Sequence, residues 1–497
     1  MSDIGLFPPS AMLAFLSVLV LGGLSLGVIG LSVWLSKLSK TLPDFFLAGK
    51  SLGLLPVACT FVASWFGAAS TLATSQAVAQ RGLNGLWDMA IPSVITCVAI
   101  ATVMAKRVAS MPGLSMPQAV EGFYGPVGRL GLACIVVVAT TTLMAAQLVA
   151  AGQVLEALLG WPFWLTASGF ALVVVSYSMV GGYWAVVATD MLQLLLIIVG
   201  LVIPLWVFGP PVAHFSTPQL AIRWGELTPT AAQLATAVTF VLGWMVAPEM
   251  WQRMTSLKNP NDAQPSVWLA TATLAALFLL VTCLGFVGQH LLATSSMTSS
   301  GAATVWMAVA QGLNNPILST FMVVGVACAI ASTMDSSLNV ASLTLVHDVL
   351  PRLRAIVNPT ASPTVDFPLW VCRVATVVLM LPALWIAVSF QNIVHVLWLS
   401  ADVYASAMAI PVVAMVVFPP NPHDIRAQQA FKKAGQWAMA GGASVVLVGR
   451  LITALPSPVN HYWPVWPWGT LIGIAVSVSL FAMVYGFDSN KNRAEAL

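Results

Sequence analysis

The sequence predicts an all-α integral membrane protein with thirteen transmembrane helices, and three observations predict it. The chain is 59% hydrophobic and only 7% charged, whereas soluble globular chains carry about 25% charged residues. Apolar segments of the roughly 20 residues that a bilayer crossing needs recur along its whole length. Finally, with thirteen crossings and the N-terminus outside, sixteen of the nineteen Lys and Arg residues fall on the cytoplasmic side, as the positive-inside rule requires. Only Arg81, Arg223 and Arg450 remain elsewhere. One helix more or fewer would invert every later loop and scatter these charges.

The first span, 12–35, is long for a signal-peptide core and lacks a basic leader or small-residue cleavage site, so it reads as a retained helix. Lys37, Lys40 and Lys50 place the next loop inside. The second span, 52–78, is interrupted by Ala63-Ser64-Trp65-Phe66-Gly67-Ala68-Ala69-Ser70-Thr71, which mixes small, polar and bulky residues at mid-depth. The third, 83–105, ends at Lys106-Arg107, and the fourth, 128–158, opens with Arg129. The fifth and sixth, 161–180 and 183–208, are separated by Gly181-Gly182. In the seventh, 232–252, Gly243 and Pro248 interrupt an apolar run, and proline frees backbone carbonyls; Arg253 and Lys258 then read as inside-loop charges. The eighth covers 266–291. The ninth, 317–349, holds Ala331-Ser332-Thr333-Met334-Asp335-Ser336-Ser337-Leu338-Asn339, with four hydroxyls, a carboxylate and an amide in nine residues. The tenth and eleventh, 367–387 and 390–418, precede Arg426, Lys432 and Lys433. The twelfth and thirteenth, 435–455 and 464–486, are followed by Lys491 and Arg493. Outer loops carry Trp and Pro instead, as in His461 to Trp468, which reads as an interfacial belt. The C-terminus falls in the cytoplasm.

Ionisable groups at membrane depth are expensive and persist mainly for function. Here they are Asp88, Glu156, Asp190, Glu249, Asp335 and Asp402, with His395 close to them. Read from the sequence, these acids lack basic partners, which points to a path for Na⁺ or H⁺. For Glu156, Glu249 and Asp402, a helix end facing water is the competing reading. Side-chain oxygens one turn apart in the ninth span suit a small desolvated cation. The two interrupted helices, second and seventh, are five apart, the spacing of an inverted repeat of helices 2–6 and 7–11. The six cysteines lie apart in apolar segments and read as buried small hydrophobes, not as a disulfide framework or zinc site. No nucleophile–base set, metal cluster or phosphate loop indicates an enzyme. The tail after Phe487 is too short for a signalling module, so a membrane sensor is a remote reading. The expected partners are a small-molecule solute and the lipid bilayer, with no nucleic acid.

Four blocks, in order, carry a resemblance over roughly residues 44–350. Asp44-Phe45-Phe46-Leu47-Ala48-Gly49-Lys50-Ser51-Leu52-Gly53 runs into Ala63-Ser64-Trp65-Phe66. Gly181-Gly182 is followed by Thr189-Asp190 and Gln193. Gln252-Arg253 is followed by Lys258. The polar segment of the ninth span leads to His347-Asp348. With these blocks the chain resembles the sodium/solute symporter family, which includes sodium-coupled proline, glucose, pantothenate and sialic acid carriers. The resemblance implies a five-plus-five inverted-repeat core in the plasma (inner) membrane, with one extra N-terminal and two extra C-terminal helices. The corresponding boundaries are 1–40, 41–210, 231–420 and 430–497. It also implies alternating access driven by Na⁺ as coupling ion, with no organic cofactor.

Carried over by motif, the carbonyls of Ala63, Phe66 and Ala329 and the hydroxyls of Ser332 and Thr333 surround Na⁺. A neutral cage suits a monovalent ion that must leave in each cycle. Relatives with a second sodium imply a candidate second ion site at Asp190, Ser332, Asp335 and Ser336. Asp335 stands where such a relative has serine, so either Na⁺ or a proton is expected there. By position, substrate contacts fall on Ser70, Thr71, Trp87, Asp88, Glu249, Gln391 and His395. Trp65 replaces an asparagine of sugar-carrying relatives, and the tenth core helix is largely apolar, as at Val394. Unpaired buried polar groups are costly, so a sugar is disfavoured, and Asp88 and Glu249 disfavour a plain carboxylate. An amino acid or related amine is the favoured solute. A proton-coupled carrier using Asp190 and Asp335, or a carboxylate or sugar substrate, stays open as the alternative.

Overall fold

The computed structural model describes residues 11–209, 227–294, 302–358, 367–453 and 467–494. These residues are helical apart from turns, connections and one isolated bridge between Leu52 and Leu257. Among them, nine helices are long and apolar enough to cross a membrane, or ten if the bent pair Ala231–Trp244 and Pro248–Thr255 is one span. The sequence predicts thirteen, and the difference lies where helices break, merge or carry charge. Leu54–Trp65 has only 12 residues, Phe163–Phe208 runs for 46, and Ile425–Thr453 contains Arg426, Lys432, Lys433 and Arg450. Residues 461–466 of the predicted belt, with Arg223, lie outside the described residues.

Local chemistry sets the breaks. Thr41 and Asp44 form a reciprocal capping box that starts the short helix Leu42–Leu47. Ala48, Gly49 and Lys50 then take positive φ and turn the chain into Leu52. The Lys50 ammonium, part-buried, donates to Gly113 O at 2.9 Å, and burial pulls its pKa below the usual lysine value. Leu52 accepts from Lys258 N at 2.9 Å and donates to Ser256 O at 3.2 Å. The entry of one broken helix is thereby tied to the exit of the other. Leu54–Trp65 stops at Phe66 (φ −90°, ψ 60°), and the chain resumes as the π-turn Ala69–Ala73 and the helix Thr74–Arg81. The second break falls between Trp244 and Pro248, with a bend of 42°.

Phe163–Phe208 cannot be one straight rod. At 1.5 Å per residue it would reach about 69 Å, more than twice the hydrocarbon core. Gly182 adopts φ 60°, ψ −153°, a conformation reserved for glycine. Tyr177 and Asp190, thirteen positions apart across Gly182, both reach the neighbouring pair Asp335 and Ser336, Asp190 through Arg253. The chain therefore turns back at Gly182.

The hub is Pro316–Leu343, which packs chiefly on Phe163–Phe208 and Met116–Leu159. Every residue from 322 to 343 is buried, so its polar side chains face protein on all sides. Two features escaped the sequence. Met116–Leu159 begins twelve residues before the predicted start, bending at Gly125-Pro126, and the short helix Ala302–Gly312 is too brief to register as a span.

Candidate functional site

The polar turn of the hub helix faces the first break. Ser332 Oγ donates to Ala63 O at 2.8 Å and lies 3.1 Å from Ala329 O. Thr333 Oγ1 donates to Ala329 O at 3.2 Å. A Cβ at Gly67 would overlap the Thr333 hydroxyl and the Gln147 amide, so only glycine lets the broken backbone approach this closely. Gln147 Oε1 accepts from Ala68 N at 3.0 Å and steadies the break. The structure thus brings Ala63, Ala329, Ser332 and Thr333 together, with Phe66 as the residue that ends the helix. The donors are neutral hydroxyls and carbonyls, a set that fits a hard monovalent cation.

One turn along the hub, Arg253 is fully buried. It lies 3.7 Å from Asp190 and donates to the Ser64 and Ser336 hydroxyls, to Glu249 O at 3.0 Å and to Thr60 O at 3.4 Å. Its guanidinium stands 5.8 Å from the Tyr183 ring centre, within cation–π range. Thr60 donates to the same oxygen that faces the guanidinium, Asp190 Oδ2. Asp335 accepts from Tyr177 OH at 2.8 Å and from Ser336 Oγ at 3.3 Å. Asp190, Ser332, Asp335 and Ser336 are therefore neighbours, with a guanidinium among them.

This corrects two sequence readings. Arg253 is not a loop charge, because Pro248–Thr255 is buried at every position. Nor do all the deep acids lack basic partners: Asp190 has Arg253, Asp402 has Arg450 and Asp88 has Arg81. At the far end of the hub, Arg129 joins Asp348 at 2.8 Å and Glu121 at 2.7 Å, and Arg352 joins Glu121.

A cleft adjoins the first break. Ser64, Ser70, Gln147, Glu249 and Thr333 supply its polar lining, and Trp65, Phe240 and Trp244 its aromatic wall. The three ring centres form a triangle with sides of 6.4, 6.1 and 5.7 Å. Glu249, 3% exposed, accepts from Ser337 Oγ at 3.1 Å through Oε1. Its Oε2 makes no hydrogen bond among the described residues, although the buried Tyr404 hydroxyl stands beside the carboxylate. Ala69, Met89 and Leu397 also line a neighbouring vestibule that holds Arg81, Asn84, Asp88 and Gln233.

The predicted substrate contacts divide accordingly. Ser70 and Glu249 line the cleft. Thr71 instead donates to Gly67 O at 2.9 Å, and Trp87 Nε1 donates to Leu227 O at 2.8 Å. Asp88 faces the vestibule, because the turns at Gly82–Asp88 carry it outward. Gln391 meets Gln153 through its carbonyl at 2.8 Å, at an exposed face. The side chains of His395 and Val394 lie outside the described residues. Glu156 is exposed, and Asp402 is held by Arg450 and Thr470. Sequence reasoning missed Gln147, Phe240, Trp244 and the role of Arg253. The available signal was that Trp65 and Trp244 each sit at one of the two helix interruptions.

Residues 45–421 match the sodium:solute symporter family. The chain is similar to the uncharacterized symporter YwcA of Bacillus subtilis (strain 168), 22% identical over 425 residues, covering 82% of this chain and 81% of that one. It is similar to the high-affinity choline transporter 1 of Caenorhabditis elegans, 24% identical over 457 residues, covering 87% and 75%. A third relative is the high-affinity proline transporter PutP of Bacillus subtilis (strain 168), 24% identical over 340 residues, covering 63% and 69%. Among solved structures, a substrate-bound, outward-open Na⁺-coupled sialic acid symporter superimposes with a TM-score of 0.70 at 14% identity, covering 98% of both chains. At that identity the likeness shows a shared fold.

Proposed function

The chain belongs to the sodium:solute symporter family, and we propose that it takes up an amino acid or related amine, with Na⁺ held between Ala63, Phe66, Ala329, Ser332 and Thr333. Its class is thus a multi-pass membrane transporter and not an enzyme. The observation that carries the sodium assignment is the Ser332–Ala63 contact. It joins the hub helix to a helix broken at that level, and a cation there would be held by the lone pairs of the two oxygens, with the hydroxyl proton turned away.

Thirteen crossings follow if the turn at Gly182 separates two spans and each broken pair forms one. The segments 41–210 and 231–420 then make the two inverted repeats, since each opens with a broken helix and Leu52 pairs with residues 256–258. The N-terminus lies outside in this arrangement. The vestibule opens on that side, and the Arg129–Asp348–Glu121–Arg352 network ties the cytoplasmic side, which is the outward-facing half of an alternating-access cycle. Substrate contact falls on Ser70 and Glu249, with Trp65, Phe240 and Trp244.

At the candidate second ion site the Arg253 guanidinium takes the place of an ion beside Asp190 and Ser336. We therefore read the coupling as one Na⁺ per cycle. A proton-coupled carrier is the second reading, favoured by the closeness of Asp335 to Asp190. Thermal stability of purified protein, titrated with Na⁺ against K⁺ in the presence of candidate solutes, separates the two. Sodium coupling predicts solute stabilisation that requires Na⁺ and is lost in the Ser332→Ala/Thr333→Ala variant. Solute stabilisation that follows pH and ignores Na⁺ would replace it with the proton reading.

A further inference from the structure

We propose that the solute is an organic cation without a carboxylate, a substituted ammonium whose head lies between Glu249 and the wall of Trp65, Phe240 and Trp244. The inference rests on the sodium-symport reading and adds the charge of the solute to it.

Glu249 supplies the first reason. It is almost fully buried, Ser337 holds one of its oxygens, and the other makes no hydrogen bond although the buried Tyr404 hydroxyl stands beside the carboxylate. Arg253 touches it through the backbone carbonyl, not the carboxylate. A buried acceptor left open is costly, and this one lines the solute cleft. The aromatic wall supplies the second reason, since the faces of Trp and Phe rings attract a cation that has shed water. Trp65, Phe240 and Trp244 line the same cleft as Glu249.

The third reason is the lining of the cleft. Among the described lining residues of the cleft there is no Lys, Arg or His. A solute carboxylate would find no basic side chain to receive it.

The matched probes are choline and glycine betaine, which share a trimethylammonium head and differ by a carboxylate, together with proline. Each is titrated into full-length purified protein at fixed Na⁺, with K⁺ as the replacing cation. The expected result is saturable, Na⁺-dependent stabilisation by choline, with betaine and proline about tenfold weaker or worse. Glu249→Gln should lower choline affinity about tenfold and Trp244→Leu several-fold, with Na⁺-induced stabilisation in the absence of solute as the folding control. In proteoliposomes each choline should enter with two positive charges. Betaine or proline binding as tightly as choline, or choline affinity unchanged in both variants, overturns the proposal. A protein that responds to Na⁺ but binds no cation overturns it while sparing the sodium reading. Choline binding that ignores Na⁺ does the reverse.

Discussion

Replacing Arg253 by Gln should expose how tightly the centre of the protein is balanced. Arg253 and Asp190 are both fully buried and 3.7 Å apart, and the same guanidinium serves Ser64, Ser336, Glu249 O and Thr60 O. Removing one member of a buried pair costs about 3–5 kcal/mol, because the other charge is stranded. The lost hydrogen bonds are part of that figure and do not add to it. Arg253→Gln should therefore lower stability by roughly 3–5 kcal/mol. Asp190→Asn should cost less, since the guanidinium keeps its hydroxyl and carbonyl partners. The double variant should fall well short of the sum, with a coupling of about 2–3 kcal/mol. Denaturation of the four proteins in one detergent completes the cycle. Loss of the tethered cation should also admit a second ion, raising the Hill coefficient of the Na⁺ response from about one to nearly two. Additive losses, or a wild-type protein already near two, would refute the reasoning.

Other substitutions follow the same logic. Gly67→Ala drives a methyl group into Thr333 and Gln147; it should cost about 1–3 kcal/mol and weaken Na⁺-induced stabilisation. Gly182→Ala should cost about 1–3 kcal/mol through its backbone conformation, with further loss because the new Cβ meets Phe45; unfolding assays read this directly. Tyr177→Phe strands one oxygen of Asp335 and should cost about 1.5–3 kcal/mol, measured the same way. Asp88→Asn removes an ion pair whose side chains are 44% and 33% exposed; it should change stability by less than about 1 kcal/mol, and by less again in high salt.

The fold and part of the site are legible in the sequence because a bilayer makes polar residues conspicuous. Ser332, Thr333 and Asp335 stand out in an apolar run, and Phe66-Gly67 and Gly243 to Pro248 stand out as breaks. Counting basic residues near span ends assigns Arg253 to a loop, and only tertiary packing reveals that Pro248–Thr255 is enclosed. Trp244 and Phe240 do not stand out, because an aromatic residue in an apolar helix ordinarily reads as packing. Helical spacing alone puts Trp87 and Asp88 in the membrane, but the chain leaves the helix at Gly82, which carries Asp88 to the vestibule and Trp87 to Leu227 O. The count of spans depends on Gly182, where one hydrophobic run conceals a reversal of direction.

The most direct measurement is a titration of Na⁺ against K⁺ at constant ionic strength, following thermal stability and tryptophan fluorescence. Trp65 lies two residues from Ala63 and so reports on the broken helix. The sodium assignment predicts a saturable response to Na⁺ alone, absent from a folded Ser332→Ala/Thr333→Ala variant. An equal response to K⁺, or a double variant that answers Na⁺ as the wild type does, would contradict it.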